Sequence, residues 1–308
     1  MSHKLIAPAR SVLCRVVLLP LLASLTLFAS AQTAPTAASA PAATTAPQLL
    51  TMNGIAHIAI RVKDIAASVA FYHKLGFEQA FVNTAKDGSV SQAFLKINDK
   101  QFIELYPVTA NDPQVGFLHL CFEGADLNAL HDAYEAEGLA PIAVRKAAAG
   151  NLLFTIKGPE QPAFPQNIEY TQYMPDSRHS KDAGLHLGAD RVADRMTIVS
   201  LAMQNPASAR AFYLAKLGFT VDPANLARLT LPGTSSQQVE FVSADVLGLR
   251  SSITLIAPSL NKAVAQLTRQ QIDFHRVSSS VKDAKGKVQP EIIIVQDPDN
   301  NSIRIVAQ

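Results

Sequence analysis

The sequence predicts an α+β protein built from tandem β-α-β-β-β modules, four copies in two pairs. Three observations carry this prediction. The first is a repeated segment. Val62-Lys63-Asp64-Ile65-Ala66-Ala67-Ser68-Val69-Ala70-Phe71-Tyr72 is answered by Met203-Gln204-Asn205-Pro206-Ala207-Ser208-Ala209-Arg210-Ala211-Phe212-Tyr213. The second is the ending both copies share, Lys74-Leu75-Gly76-Phe77 and Lys216-Leu217-Gly218-Phe219. The third is that short apolar runs follow each helix at strand length.

Each element has a local cause. In module one, a strand ends at Asp64, whose side chain can cap a helix of about three turns. Gly76 ends that helix, since glycine takes the left-handed conformation of a helix C-terminus. Strands then fall near 77–82, 90–97 and 101–107. Module two begins near Phe117. Its helix starts at Asp126 and stops at Gly138, with strands near 141–145, 151–157 and 166–173. A polar, non-periodic stretch over 176–194 reads as a connector. Module three starts its helix at Asn205 and ends it at Gly218. Module four runs from about Leu249, and its helix over about 259–271 carries Leu260, Val264 and Leu267 on one face. Its closing strands, Glu291–Val295 and Ser302–Val306, flank Asp297-Pro298-Asp299-Asn300-Asn301, a tight-turn sequence.

Four of these strands hold one ionisable residue in an apolar run: His57, Glu104, His119 and Glu169. A carboxylate alone on a buried strand costs several kcal/mol unless something pairs with it. Two imidazoles and two carboxylates that converge can share a divalent cation, which offsets that cost. Strand alternation sets Ala59 and Arg61 on the side of His57, and Phe102 and Tyr106 on the side of Glu104. The helix alignment places Ile198, Glu240, Ser252 and Arg304 at the corresponding positions downstream. One carboxylate beside a cation is not a metal site, so the second pair of modules reads as a degenerate structural half. Cys121, two residues after His119, reads as a small buried hydrophobe. Arg61, Tyr106 and Tyr170 are candidate pocket residues by strand position. His179 and His186 fall in the connector, where nothing supports a second site. The proline-rich stretch from Gly158 to Gln166 stands in place of a tight turn before Glu169.

The His57-Ile58-Ala59-Ile60-Arg61-Val62-Lys63-Asp64 start, the Ala70-Phe71-Tyr72 and Leu75-Gly76-Phe77 helix end and the Asp297–Asn301 turn resemble the vicinal oxygen chelate superfamily. That group includes glyoxalase I, methylmalonyl-CoA epimerase, extradiol dioxygenases and antibiotic-resistance proteins. The resemblance covers roughly 53–308. It implies cupped mixed sheets with helices on the outside, in two paired domains at 53–175 and 195–308. It also implies that His57, Glu104, His119 and Glu169 ligate one divalent metal ion (Zn, Ni, Co, Mn or Fe), a pattern resembling glyoxalase I. Glu169 and Glu104 would then be catalytic, with Glu169 moving a proton beside a polarised substrate carbonyl. The implied function is isomerase or lyase chemistry on a small carbonyl compound. An Fe(II) extradiol dioxygenase and a non-catalytic protein binding a small molecule or metal are the alternatives. The first of these needs an acid/base histidine near the metal.

The N-terminus sets the compartment. Lys4, Arg10 and Arg15 precede an apolar stretch over Val16–Phe28, and Ala29-Ser30-Ala31 has the small residues of a cleavage site. This reads as a signal peptide over 1–31, followed by an Ala/Pro/Thr-rich linker over 32–52. It predicts an exported protein, periplasmic or extracellular. The apolar stretch is shorter than the ~20 residues of a spanning helix. Cleavage removes three of the 27 basic residues and none of the 25 acidic ones, leaving a net charge of −1. That balance gives no reason to expect nucleic acid as a partner, and no later run is long enough to span a membrane. Cys121 is then the one remaining cysteine, so no internal disulfide is available. A small-molecule substrate is expected, in a monomer or a homodimer.

Overall fold

The structure, a computed structural model, describes residues 51–159, 166–233, 236–244, 252–278 and 291–307. The expected leader, and most of the linker, lie outside the described residues. The chain divides into units at 1–44 and 45–308, and every described residue belongs to the second.

The first module is β1 (Met52–Val62), α1 (Ile65–Lys74), β2 (Gln79–Thr84), β3 (Val90–Asn98) and β4 (Gln101–Pro107). The second is β5 (Gly116–Gly124), α2 (Leu127–Ala136), β6 (Arg145–Lys146), β7 (Leu152–Lys157) and β8 (Asn167–Gln172). A short helix, α3 (Arg178–Lys181), lies in the connector. The third module is β9 (Arg195–Met203), α4 (Pro206–Lys216), β10 (Thr220–Val221), β11 (Arg228–Thr230) and β12 (Gln238–Ser243). The fourth is β13 (Ser252–Ala257), α5 (Leu260–Arg269), β14 (Phe274–Val277), β15 (Ile292–Gln296) and β16 (Ser302–Ala307).

The helix starts follow the capping logic. Asp64 accepts from the Ala66 and Ala67 amides, Asp126 from Ala129, Asn205 from Ser208 and Ser259 from Lys262. Gly76 ends α1 at φ +84°, and a Cβ there would lie 2.4 Å from the Arg191 Cα, so both its conformation and its space require glycine. One strand is shifted along the chain and one is shorter than expected. The chain is still turning through Gly76 and Phe77, so β2 starts only at Gln79. The run at 141–145 contributes little more than Arg145–Lys146, following Pro141, which has no amide to donate to a ladder.

Each half forms one eight-stranded mixed sheet. The orders are β2-β3-β4-β1-β5-β8-β7-β6 and β10-β11-β12-β9-β13-β16-β15-β14, the same topology twice. In each, an antiparallel central pair (β1 with β5, β9 with β13) is flanked by parallel partners. The aliphatic sides of the strands face the helices and join in one buried cluster that spans both halves. The helices lie outside each cup and meet between the halves: Gln266 of α5 donates to the Lys74 carbonyl at the end of α1 (3.1 Å), and Lys216 of α4 to the Glu137 carbonyl after α2 (3.0 Å).

Two buried tyrosines at matching positions tie the halves together. Tyr72 of α1 donates to Asp297 Oδ2 at 3.1 Å, and Tyr213 of α4 accepts from Gln166 Nε2 at 2.5 Å. Both partners lie in the segment just before the last strand of the opposite half. Asp297 also takes the Asp299 and Asn301 amides and the Asn301 side chain, and so organises the predicted turn.

The connector is pinned from below. Lys96 of β3 is fully buried, and its Nζ contacts Asp182 Oδ2, Asp99 Oδ1 and the Leu185 carbonyl, each at 2.8 Å. A lysine so placed must be paired, and the connector supplies the pairing.

Replacing Tyr72→Phe removes a buried bond to a carboxylate and should lower the unfolding free energy by about 1.5–3 kcal/mol, read from urea denaturation. Lys96→Ala should cost about 3–5 kcal/mol, because Asp182 is left buried with only the half-exposed His186 as an ionisable partner. Urea curves for Asp182→Asn and the double variant would show the coupling between them.

Candidate metal centre

Strand register brings the four polar residues together. In the central pair, His57 stands opposite Cys121 and Ala59 opposite His119. The flanking strands set Glu104 beside Ala59 and Glu169 beside Cys121. All four side chains therefore project from one face of the cupped sheet. The ladder through Glu169 is regular, with Thr155 opposite it, so the unusual stretch before β8 leaves its register intact.

The distances are short. His57 Nε2 lies 3.1 Å from His119 Nε2, 3.0 Å from Glu104 Oε2 and 3.4 Å from Glu169 Oε1. His119 Nε2 lies 3.5 Å from Glu104 Oε2 and 3.9 Å from Glu169 Oε2. Donors held ~2.1 Å from one cation at angles of 90–109° lie about 3.0–3.4 Å apart. The spacing therefore suits a shared cation. His57, Glu104 and His119 form one metal-capable group, and His57, Cys121 and Glu169 another.

Orphaned atoms point the same way. Glu104 Oε1 accepts from Gln92 Nε2 at 3.0 Å, whereas the buried Oε2, close to both imidazoles, has no aligned hydrogen bond. Gln92 is fixed in turn by Asn83 Nδ2 (2.6 Å), and Asn83 by Arg178 Nη1 (2.9 Å). A side-chain chain from the connector thus orients one carboxylate and leaves its inner oxygen free. The Tyr106 hydroxyl also meets Gln92.

The electrostatics are those of a closely packed mixed cluster. Burial opposes the charged form of His57, but the Glu104 carboxylate beside it and a hydrogen bond with Cys121 raise its pKa above the usual histidine range. Burial pushes Glu104 up, and the two imidazoles more than reverse this, holding it below the ordinary carboxylate range. Glu169 is lowered in the same way, mainly by His119 and His57. Burial raises the Cys121 thiol, which therefore stays protonated.

A cavity of about 190 Å³ opens over the cluster, smaller than the ~300–1,000 Å³ typical of drug-sized ligands. His57, Glu104, Glu169, Gln92 and Tyr106 line it, with Phe94, Leu153, Arg145 and Ala147–Ala149 farther along. Of the candidate pocket residues, Tyr106 is in place. Arg61 instead reaches toward Asp112 at 3.6 Å. Tyr170 faces the opposite way from Glu169, into the core against Tyr134 and Phe154, because neighbours on a strand alternate sides. The cavity also holds residues the sequence reading passed over: Asn83, Gln92, Asn151 and His179. Gln92 was findable, being two residues from Phe94, which stands opposite Glu104. His179 carried no such signal. The connector sends it into the wall of the cavity over the quartet.

The second half repeats the geometry without the donors. Ser200 stands opposite Ser252, Ile198 opposite Thr254, Glu240 beside Ser200 and Arg304 beside Thr254. Ile198, Glu240, Ser252 and Arg304 thus occupy the places of His57, Glu104, His119 and Glu169. Glu240 accepts from Ser200 Oγ (2.5 Å), Arg228 Nε (3.2 Å) and Arg304 Nη1 (3.5 Å), so its charge is met by side chains of its own sheet.

Comparison with known proteins agrees with this architecture. A model of the Glyoxalase/Bleomycin resistance protein/Dioxygenase superfamily matches residues 54–162, ending before Glu169. No curated protein matches the chain. Among solved structures, the fold is similar to an Mn(II)-bound glyoxalase from Novosphingobium aromaticivorans, with a TM-score of 0.62 and 16% identity over 83% of this chain and 82% of that one. It is also similar to a 2,3-dioxygenase from Pseudomonas sp. KL28 (TM-score 0.60, 14% identity, 84% and 93% covered). An extradiol ring-cleaving dioxygenase from B. fuscum gives a TM-score of 0.58 at 16% identity over 86% and 74%. At these identities the likeness is one of fold, and it embraces both chemistries. Residues 54–162 thus carry a domain of the glyoxalase/bleomycin resistance protein/dioxygenase superfamily, the vicinal oxygen chelate group.

Proposed function

We propose that the chain is an exported metal-dependent enzyme of the glyoxalase type, acting as an isomerase or lyase on a small carbonyl substrate. The observation that carries this reading is the convergence of two imidazole Nε2 atoms, 3.1 Å apart, on a buried carboxylate oxygen with no hydrogen bond of its own. His57, His119, Glu104 and Glu169 would hold one divalent ion, whether Zn, Ni, Co, Mn or Fe. A divalent ion in such a site supplies Lewis acidity that polarises a carbonyl oxygen.

The two carboxylates divide the remaining work. Glu104 is clamped through Gln92 and is the deeper, its side chain 5% exposed. Its role is to hold position. The Glu169 side chain is 13% exposed, lines the cavity, and has no counterpart of the Gln92 clamp among the described residues. It is the group free to take a proton from the carbon beside a substrate carbonyl and return it to the neighbouring atom. Tyr106 closes the cavity next to Glu104 with a hydroxyl that burial keeps protonated.

The ring-cleaving dioxygenase alternative is supported by the fold likeness. It is less well supported by the side chains, because two carboxylates accompany the two histidines where the ferrous oxygenase pattern has one. It also needs an acid/base histidine. His179 lines the cavity; burial pulls its pKa down to about 3, so at pH 7 it is a neutral imidazole that can accept a proton but has no imidazolium proton to give.

Protein purified without chelator should contain about one equivalent of divalent metal by elemental analysis. His57→Ala should reduce it below about half an equivalent, and Gln92→Leu should weaken metal affinity by about 10–100-fold in a calorimetric titration. Less than half an equivalent in the native chain, unchanged in His57→Ala, refutes the metalloenzyme reading. Intact mass of the exported protein should correspond to a chain starting at Gln32. Recovery of the full-length mass from the exported fraction would refute cleavage there.

A further inference from the structure

The connector histidine has chemistry that the metal centre leaves unused. His179 is 2% exposed, and its ring sits among four aromatic rings. Phe81, Phe94 and Phe102 meet it edge-on at 4.8, 5.2 and 4.7 Å, and Tyr173 stacks on it at 4.8 Å. This cage leaves the imidazole one orientation. Its Nδ1 lies 2.9 Å from Asn151 Nδ2. Its Nε2 is buried with no partner, and so is Asn151 Oδ1. Both residues line the cavity over the quartet.

Two orphaned polar atoms on residues that line one cavity are uncommon, because buried polar groups nearly always find partners. The arrangement is complementary to one kind of group. If Asn151 Nδ2 donates to Nδ1, the proton of the neutral ring is on Nε2, which is a free donor, and Asn151 Oδ1 is a free acceptor. If the amide is turned, Nδ1 donates to Oδ1, Nε2 is the free acceptor and Nδ2 the free donor. Either way the pair offers one donor and one acceptor. A hydroxyl needs one of each.

We propose that Asn151 and His179 form a hydroxyl-binding subsite in this cavity, so that the substrate is a hydroxylated carbonyl compound. The carbonyl end of this inference rests on the metalloenzyme reading; the hydroxyl end rests on the orphaned pair alone. Burial keeps His179 neutral, so the subsite selects a hydroxyl by hydrogen bonding rather than an anion by charge. Apolar walls from Phe94, Leu153 and Ala149 leave an analogue lacking the hydroxyl with nothing to offer these two atoms.

Phenol and toluene, matched in size and differing by hydroxyl against methyl, test the subsite without a known substrate. Their binding is followed by NMR on chain labelled with 15N-histidine, both metal-free and loaded with diamagnetic zinc. Phenol should bind about tenfold more tightly than toluene in both forms and shift one imidazole resonance, the one missing from His179→Phe. His179→Phe keeps an aromatic ring in the cage, and Asn151→Leu provides a second variant. In each, the preference for phenol should disappear. No measurable preference in the native chain, or one that survives in both variants, overturns the proposal. A phenol preference in a chain that binds no metal upholds the subsite and removes the metal reading. Metal binding without the preference removes the subsite alone.

Discussion

The antiparallel pairing of β1 with β5 is the constraint on which the site depends. Its register sets His57 against Cys121 and Ala59 against His119. The parallel neighbours then have only to place a carboxylate next to Ala59 and next to Cys121 for four donors to meet. A slip of one residue in this pair would send one histidine to the aliphatic face, because side chains alternate along a strand. The hydrophobic pattern prevents that slip. Ile58, Ile60, Leu120 and Phe122 are all committed to the buried core on the other face. Packing on one side of the sheet thus determines chemistry on the other.

The two halves answer the same electrostatic problem differently. Glu104 and Glu169 face two imidazoles and a cavity, a donor set that fits a cation. Glu240, at the position of Glu104, is completed internally by Arg228, Arg304 and Ser200. An arginine at the position of Glu169 reverses a charge and places a guanidinium beside Glu240. The second cup is therefore electrostatically self-sufficient, and one topology supports both an open and a closed solution.

Much of this was legible in the sequence because it is periodic. The repeat Ala-Phe-Tyr…Leu-Gly-Phe, the capping residues Asp64, Asp126 and Asn205, and single polar residues in apolar strands are local signals with local causes. The downstream equivalents of the quartet followed from aligning helices, and the strand registers reproduce them residue for residue. Tyr170 was misplaced when alternation was not carried one residue past Glu169. His179 was not legible at all. It reaches the cavity because Lys96 holds Asp182 and because four aromatic rings from four separate segments enclose the imidazole. Both are long-range packing facts, and a non-periodic segment carries no trace of them. Gln92 lies between these cases: its side of the sheet is readable, but its bond to Glu104 requires knowing how β3 and β4 are registered.

The matched tyrosines bear on how the molecule can come apart. Tyr72 reaches from the first half to the turn before the last strand of the second, and Tyr213 reaches from the second half to Gln166 before the last strand of the first. Each sheet has its closing strand steadied by a helix that belongs to the other. The contacts are reciprocal, like two hands each gripping the opposite wrist, so loosening one half releases the grip on the other. The strand that carries Glu169 is among those held this way. The half without a donor set is thus not a passenger: its helix fixes the approach to the strand bearing the fourth donor, and the geometry of the centre is a property of both sheets.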